Sequence, residues 1–139
     1  MPNDCWCDVR IGGPEDTIRY LVESEFLFDK LIPAPEHDTE FARRENSLTA
    51  RPKGCDDTTE WYETNWGTRS ERYDYSIGEL GKEAIYFYFT CVWAPPYPIF
   101  EHLLERFQDL WICCKWREES GYAGLFVGDN KDGKKILRF

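Results

Sequence analysis

The feature that most constrains this chain is an uninterrupted apolar and aromatic segment, AIYFYFTCVW, at residues 84–93. Alternation along a strand puts Ile85, Phe87, Phe89, Cys91 and Trp93 on one side and Tyr86, Tyr88, Thr90 and Val92 on the other. Such a pattern predicts a central strand that is either covered on both faces or exposes tyrosines on one of them. Covering the second face needs a partner.

Two strand–helix pairs surround this segment in the sequence. Residues 5–11 alternate apolar with polar side chains and predict a strand, which the glycine pair at 12–13 ends. A helix is predicted from Pro14 to about Glu25, and a second one from Pro98, because proline is tolerated in the first turn. The apolar residues that recur on one face of the second helix are Ile99, Phe100, Leu103, Leu104 and Phe107.

Less regular segments complete the secondary-structure prediction. Residues 26–32 predict a second strand or an extended segment, and about 36–73 form a long insertion with a short helix near 58–66. The aromatic residues expected to form a small core of the insertion's own are Trp61, Tyr62 and Trp66. Strands are predicted at 73–77 and 111–118, with a turn at 78–82 and a C-terminal β-hairpin around the DNKDG turn.

This order of elements is that of a split β-α-β unit. We therefore predict an α+β fold of the ferredoxin-like sandwich type, with an antiparallel sheet, two main helices and the insertion at about 36–73. At 139 residues the chain is expected to form a single domain, 1–139. The term ferredoxin-like describes topology only and implies no iron–sulphur cluster, because the cysteine spacing that such clusters use is absent from the sequence.

The six cysteines do not follow a metal-binding pattern. Zinc sites usually take four converging ligands from short-spaced pairs, whereas the close pairs here are Cys5 with Cys7 and the adjacent Cys113 and Cys114. On strands, Cys5 and Cys7 share one face, while Cys113 and Cys114 point to opposite faces. Reduced cysteines are commonly packed as small apolar residues, so we predict no metal site and no cofactor.

The charge balance argues against a conventional nucleic-acid-binding protein. The chain has 17 Lys and Arg against 26 Asp and Glu, a formal net charge of -9, which suits a partner with a basic surface. No segment approaches the ~20 apolar residues of a membrane span, and the start MPND lacks the features of a signal peptide. We expect a cytoplasmic protein with no membrane partner.

Several strings occur together in an order known from one family. They are MPN followed by Cys5, IGGP at 11–14, FDKLIPAPE at 28–36, NWGTR at 65–69, WAPPYPIFEHL at 93–103 and GYAGLF at 121–126. On these strings the chain resembles the YubB-type ferredoxin-like family of phages, plasmids and other mobile elements. The resemblance implies the same fold and a bacterial host cell as the setting, and it brings no catalytic residues.

The NWGTR string also has a physical interpretation. Gly67 permits a tight turn, Asn65 can bond nearby backbone, and Trp66 can anchor the insertion to the core. The alternative is that Arg69 and Arg72 contact an anionic ligand.

The favoured hypothesis is a non-enzymatic acidic protein that inhibits a host nucleic-acid-targeting defence complex, of the anti-CRISPR or anti-restriction type. Its carboxylates would imitate phosphates and occupy the basic nucleic-acid-binding surface of a host protein or ribonucleoprotein, without binding nucleic acid directly. The residues predicted to contact this partner are Glu36, Asp38, Glu40, Asp56, Asp57, Glu60 and Glu63.

The alternative hypothesis is a single-stranded nucleic-acid or nucleotide-binding accessory protein that uses an aromatic sheet face with a basic tail. The residues predicted for that face and tail are Tyr86, Tyr88, Trp116, Lys131, Lys134, Lys135 and Arg138. The same aromatic face is also a possible homodimer surface.

Catalysis is not predicted. The adjacent acids Asp56 with Asp57 and Glu118 with Glu119 are interpreted as solvated side chains, and His102 as a surface residue of its helix. No set of nucleophile, base and orienting residue can be named.

Overall fold

A six-stranded antiparallel sheet organises the residues that the computed structural model describes, 3–35 and 58–139. The elements in chain order are β1 (Asp4–Gly12), α1 (Glu15–Ser24), α2 (Phe28–Leu31), α3 (Thr58–Asn65), β2 (Tyr73–Leu80), β3 (Ala84–Val92), α4 (Tyr97–Arg106), β4 (Trp111–Glu118), β5 (Ala123–Asp129) and β6 (Lys135–Arg138). The predicted α+β class is confirmed. No helix among these residues is long and apolar enough to cross a membrane.

The strand order in the sheet is β2-β3-β1-β4-β5-β6. The first strand of the chain therefore lies inside the sheet, between β3 and β4, and pairs antiparallel with both. Cys5 lies opposite Cys91 on one side and Glu118 on the other. The predicted strands at 5–11 and 111–118 and the C-terminal hairpin, which is formed by β5 and β6, are confirmed.

The core lies between one face of the sheet and the helices. Its strand residues are those of the alternating apolar sets, Cys5, Cys7, Val9 and Ile11 of β1, Ile85, Phe87, Phe89 and Cys91 of β3, Ile112 and Cys114 of β4, and Phe126 of β5. Helix α1 adds Ile18 and Leu21, and α4 adds the predicted apolar face except Phe107, which is only partly buried. Phe26 joins the layers, because its ring contacts those of Phe87 at 4.7 Å and Phe100 at 6.2 Å between centroids.

The prediction of a strand or extended segment at 26–32 is wrong, because Phe28–Leu31 form the short helix α2. Its first N–H groups, those of Phe28 and Asp29, donate to the two carboxylate oxygens of Glu71 at 2.7 and 3.0 Å. This is an N-terminal cap supplied from 42 and 43 residues away, which no local pattern reveals. The predicted turn at 78–82 is also displaced, since β2 continues to Leu80.

Helix α3 confirms the short helix predicted near 58–66, but its aromatic residues do not form a separate core. Trp66 stacks on Tyr62 at 4.5 Å, is almost fully buried, and contacts Phe28 at 5.7 Å. Its indole Nε1–H donates to the carbonyl of Ile32 at 2.8 Å. The insertion is therefore anchored directly in the main core.

The physical interpretation of NWGTR agrees with the structure. Gly67 has a φ of 83°, and a Cβ there would lie 2.4 Å from Cδ of Pro98, so glycine is required on both counts. The Asn65 side chain donates to the carbonyl of Trp61 at 2.9 Å.

Candidate nucleic-acid interface

The face of the sheet that points away from the helices carries a set of exposed aromatic residues. Trp6 on β1, Tyr88 on β3 and Trp111 on β4 expose 40%, 40% and 44% of their surface, and Tyr86 is half-buried beside them. We call this surface, made by the outward residues of β1, β3 and β4, the open face. Alternation along the strands explains it, because each outward residue is the neighbour of a core residue.

Strand register places the outward residues in rows across the sheet. The first row runs Thr90, Trp6, Arg117; the second Tyr88, Asp8, Lys115; the third Tyr86, Arg10, Cys113; and the fourth Ala84, Gly12, Trp111. Trp6 and Trp111 thus stand six residues apart along β1, about 20 Å at the rise of a strand. The open face is long enough to contact several successive groups of an extended ligand.

Cationic side chains lie over the aromatic rings. The guanidinium of Arg10 is 4.6 Å from the centre of the Tyr86 ring, and that of Arg117 is 4.9 Å from the Trp6 ring. Each contact holds a planar guanidinium cation beside an aromatic ring. The ring can stack with a base, and the guanidinium can bind the phosphate beside it. Lys115 is exposed between them.

The two carboxylates of the open face are both engaged by tyrosine hydroxyls. Tyr86 donates its O–H to Oδ2 of Asp8 at 2.9 Å, and Tyr73 donates to Asp4. The hydrogen bond to Asp8 is the main reason why the pKa of Tyr86 is raised above its usual value. Both tyrosines therefore stay protonated at neutral pH. On β1, β3 and β4 the outward cations are Arg10, Lys115 and Arg117, against the two carboxylates Asp4 and Asp8.

An open groove of about 500 Å³ lies at one end of this face. Arg10, Tyr86 and Trp111 line it from the sheet, and Glu79 and Leu80 from the end of β2. The indole of Trp111 crosses β1 at Gly12, where an added Cβ would lie 2.1 Å from the indole Nε1. A glycine at this position is what lets the tryptophan lie across the strand beside the groove.

Of the three aromatic residues that the sequence predicted for this face, the structure places two on it and one on the opposite face. Tyr86 and Tyr88 lie on it, with ring centroids 5.5 Å apart in an edge-to-face arrangement. The prediction that Trp116 joins them is wrong, because Trp116 lies opposite Cys7 on the helix side and donates its Nε1–H to the Tyr97 hydroxyl at 2.7 Å. Successive residues of β4 point to opposite faces, so Trp116 points to the helices while its neighbours Lys115 and Arg117 point to the open face.

The four basic residues of the predicted tail also lie in different surroundings. Lys134 pairs with Glu105 of α4 at 2.9 Å, and Arg138 pairs with Glu101, so the prediction that these two belong to a nucleic-acid surface is not supported by their placement. Lys135 lies opposite Asp129 in the pairing of β5 and β6, and Lys131 is exposed in the turn before β6.

The predicted acidic contact residues lie mostly outside the described part of the chain. Glu36, Asp38, Glu40, Asp56 and Asp57 fall among residues 36–57. Glu60 is exposed on α3, and Glu63 on the same helix binds Arg69 Nε at 2.6 Å.

Arg69 and Arg72 have structural partners. Besides its bond to Glu63, Arg69 lies 5.3 Å from the Trp93 ring. Arg72 donates to the carbonyl of Glu25 at 2.8 Å and lies 4.5 Å from the Tyr75 ring. Their guanidinium groups therefore hold loops to the core and are not presented together to a ligand.

Sequence reasoning missed Trp6, Arg10, Trp111, Lys115 and Arg117 as members of one surface. The alternation in each strand indicated which residues share a face, but only strand pairing shows that β1, β3 and β4 are neighbours.

Comparisons with known proteins show a similarity in fold. No family model and no curated protein matches the sequence. A crystal structure of the protein Api92 from Yersinia pseudotuberculosis, described by the family model DUF1281, is similar with a TM-score of 0.56 and 18% sequence identity. The similarity covers 81% of this chain and 39% of that one, so the chain spans well under half the length of its structural neighbour. It supports the α+β architecture of the chain.

Proposed function

We propose that the chain is a non-catalytic binding protein whose open face binds single-stranded nucleic acid. The observation that carries this proposal is the combination of Trp6, Tyr86, Tyr88 and Trp111 with Arg10, Lys115 and Arg117 on one side of the sheet. Aromatic rings on an exposed sheet stack with bases, and neighbouring cations bind the phosphates.

The strand order supports the fold part of this proposal. β3 lies between β1 and β2, and β1 lies between β3 and β4, an order that agrees with the proposed ferredoxin-like split β-α-β sandwich. In sheets of this type that bind RNA, the aromatic residues that stack with bases stand on the central strands. Trp6 and Tyr88 occupy such positions here. We also propose, on the shared strings of the sequence, that the chain belongs to the YubB-type family of mobile elements.

The local charge favours this ligand despite the net charge of the chain. The outward residues of β1, β3 and β4 include three cations and two carboxylates, and both carboxylates accept hydrogen bonds from tyrosines. On the same side of the sheet, the flanking strands add Glu79 of β2, opposite Tyr86, and Asp129 of β5, opposite Trp111. A ligand that carries phosphates would bind the open face, where the sheet separates it from the acidic side chains of the helices.

The test is fluorescence anisotropy with labelled 12-nucleotide DNA and RNA single strands, and duplexes of the same sequence, at several salt concentrations. Trp6→Ala and Tyr88→Ala should each weaken single-strand binding by about 5- to 150-fold, since one base stack is worth about 1–3 kcal/mol. Arg117→Ala should lower the slope of log affinity against log salt by about 0.7.

A matched control is Tyr122→Ala, which removes an exposed tyrosine from the loop between β4 and β5. It should bind as tightly as the unchanged chain. Failure of the unchanged chain to bind any single strand at low salt would refute the proposal. Self-association that Trp6→Ala and Tyr88→Ala abolish would identify the open face as a homodimer surface.

The second candidate is the acidic inhibitor, and the observation that favours it is the charge of the helix layer. The four described helices carry eight carboxylates, Glu15, Asp16, Glu23, Asp29, Glu60, Glu63, Glu101 and Glu105, and three basic residues, Arg19, Lys30 and Arg106. We propose as this alternative that the acidic side binds the basic nucleic-acid channel of a host defence complex in the bacterial cytoplasm.

A pull-down from bacterial lysate at low and high salt distinguishes the two candidates. The acidic inhibitor predicts capture of a basic nucleic-acid-handling complex at low salt, and its loss in an Asp56→Lys, Asp57→Lys, Glu60→Lys variant. Trp6→Ala should leave that capture unchanged. Retention of the complex by the charge-reversed variant would remove these three residues from the interface.

A further inference from the structure

Three cysteine side chains converge in the core on the helix side of the sheet, away from the open face. The Sγ atoms of Cys5, Cys7 and Cys91 all lie within 4.8 Å of one another, and those of Cys7 and Cys91 are 3.8 Å apart. Within residues 3–35 and 58–139, they form the one group of three His, Cys, Asp or Glu side chains with this spacing. We call them the cysteine cluster.

Strand pairing produces the cluster. Cys5 and Cys7 share the inward face of β1, as their spacing predicted, and Cys5 lies directly opposite Cys91 of β3. Cys114 of β4 is also inward, while its neighbour Cys113 is on the open face, again as predicted. The sequence did not indicate the third member, because the register between β1 and β3 is not a local property.

The spacing of the sulphur atoms fits a single metal ion. Thiolates about 2.3 Å from a central ion in a plane would lie about 4 Å from one another. One pair is already at 3.8 Å, and the widest separation in the cluster is at most 4.8 Å. The two strands hold the Cα positions, so closure requires side-chain movements of less than about 1 Å.

We propose that Cys5, Cys7 and Cys91 form a three-thiolate site for a soft monovalent metal ion, Cu(I). Soft sulphur ligands select Cu(I), whereas zinc in structural sites is almost always bound by four ligands. The thiols are buried, which protects such an ion from water and oxidants. Binding converts thiols to thiolates and releases protons to solvent.

The cluster lies close to one boundary of the core. The Cys91 thiol donates to the carbonyl of Ala94 at 3.1 Å, in the turn that joins β3 to α4. In the same turn, Trp93 is 43% exposed and has a φ of 75°. This turn therefore joins the cluster to an exposed part of the chain.

The test uses the full chain, reduced and free of oxygen, with Cys55→Ser and Cys113→Ser to remove thiols that would compete. Titration with Cu(I) against bicinchoninate should show one Cu(I) per chain, and X-ray absorption should show three sulphur ligands. Cys91→Ala should weaken binding by more than about 100-fold, beyond the loss expected from a residue that only supports a ligand. Circular dichroism checks that each variant is folded.

Cys114→Ala is the matched control, since it removes a buried thiol that neighbours Cys7 but lies outside the group of three. It should keep one Cu(I) per chain with three sulphur ligands. No Cu(I) bound by the folded parent chain, four sulphur ligands, or preferential binding of Zn(II) would each overturn the proposal. A Cys5–Cys91 disulphide in chain isolated from cells, detected as the loss of two hydrogens in mass, would overturn it as well.

Discussion

The two faces of β3 carry aromatic rings of nearly the same size in opposite environments. Phe87 and Phe89 point to the helices and are at most 2% exposed, whereas Tyr86 and Tyr88, which alternate with them along the strand, point outward and remain partly exposed. A phenyl ring loses nothing polar on burial, but a phenol needs a partner for its hydroxyl. The helix side of the sheet therefore stabilises the fold, and the open face leaves its aromatic surface exposed, as the proposed binding role requires.

The largest expected effect comes from the helix side. Phe26→Ala removes a ring packed on Phe28, Phe87, Phe89 and Phe100, and should lower the free energy of unfolding by about 3–5 kcal/mol. Tyr88→Ala, the matched aromatic truncation on the open face, should cost about 1 kcal/mol or less. Urea denaturation measures both. Equal losses would contradict the division of roles between the two faces.

An intermediate effect is expected from Asn130, the polar side chain that ties the end of α4 to the sheet. Its Oδ1 accepts the N–H of Leu110 at 2.7 Å, and its Nδ2 donates to the carbonyls of Leu104 and Phe107. Asn130→Ala leaves these groups without partners and should cost about 1–3 kcal/mol in urea denaturation.

Asn65→Ala is the control for Asn130→Ala, because it removes a single side-chain bond to the carbonyl of Trp61. It should cost less. If both variants lose the same stability, the three contacts of Asn130 do not act together.

The smallest effect is expected from Lys134. Its bond to Glu105 is the main reason why the pKa of that carboxyl lies below its usual value. The pair therefore contributes at pH above the usual carboxyl pKa, and its contribution disappears as the pH falls through the lowered value. Both side chains are largely exposed, so Lys134→Ala should change the thermal midpoint little at neutral pH, and less in acid.

Lys134→Ala also tests which surface binds nucleic acid. Its affinity for single-stranded nucleic acid should match that of the unchanged chain, whereas Lys115→Ala should weaken binding. If anisotropy measurements show that Lys134→Ala weakens binding and Lys115→Ala does not, the basic tail and not the open face binds nucleic acid.

Local patterns predicted most of the fold. The periodicity of residues 5–11, the proline at 98 and the apolar run at 84–93 each predicted an element that the structure contains. The failures came from contacts distant in sequence. Glu71 caps α2, and without that contact residues 26–32 have the composition of a strand.

The candidate site was predictable only in part, for the same reason. Tyr86 and Tyr88 were evident from the alternation of one strand. Trp6 and Trp111 become their neighbours only through pairing across three strands that are far apart in the sequence. Trp116 shows the opposite error, because a shift of one position along β4 changes the face on which a side chain lies.

The position of β1 inside the sheet has a consequence for synthesis of the chain. Its two neighbours are separated from it by the insertion, so β3 is complete only when residue 92 has left the ribosome and β4 only when residue 118 has done so. Until β4 emerges, at least one edge of Asp4–Gly12 is unpaired, so a nascent chain must keep this strand from pairing with other molecules. Long-range pairing of this kind slows folding. We expect the native sheet to form only after β4 has emerged, and a chain that stops before β4 to aggregate during expression.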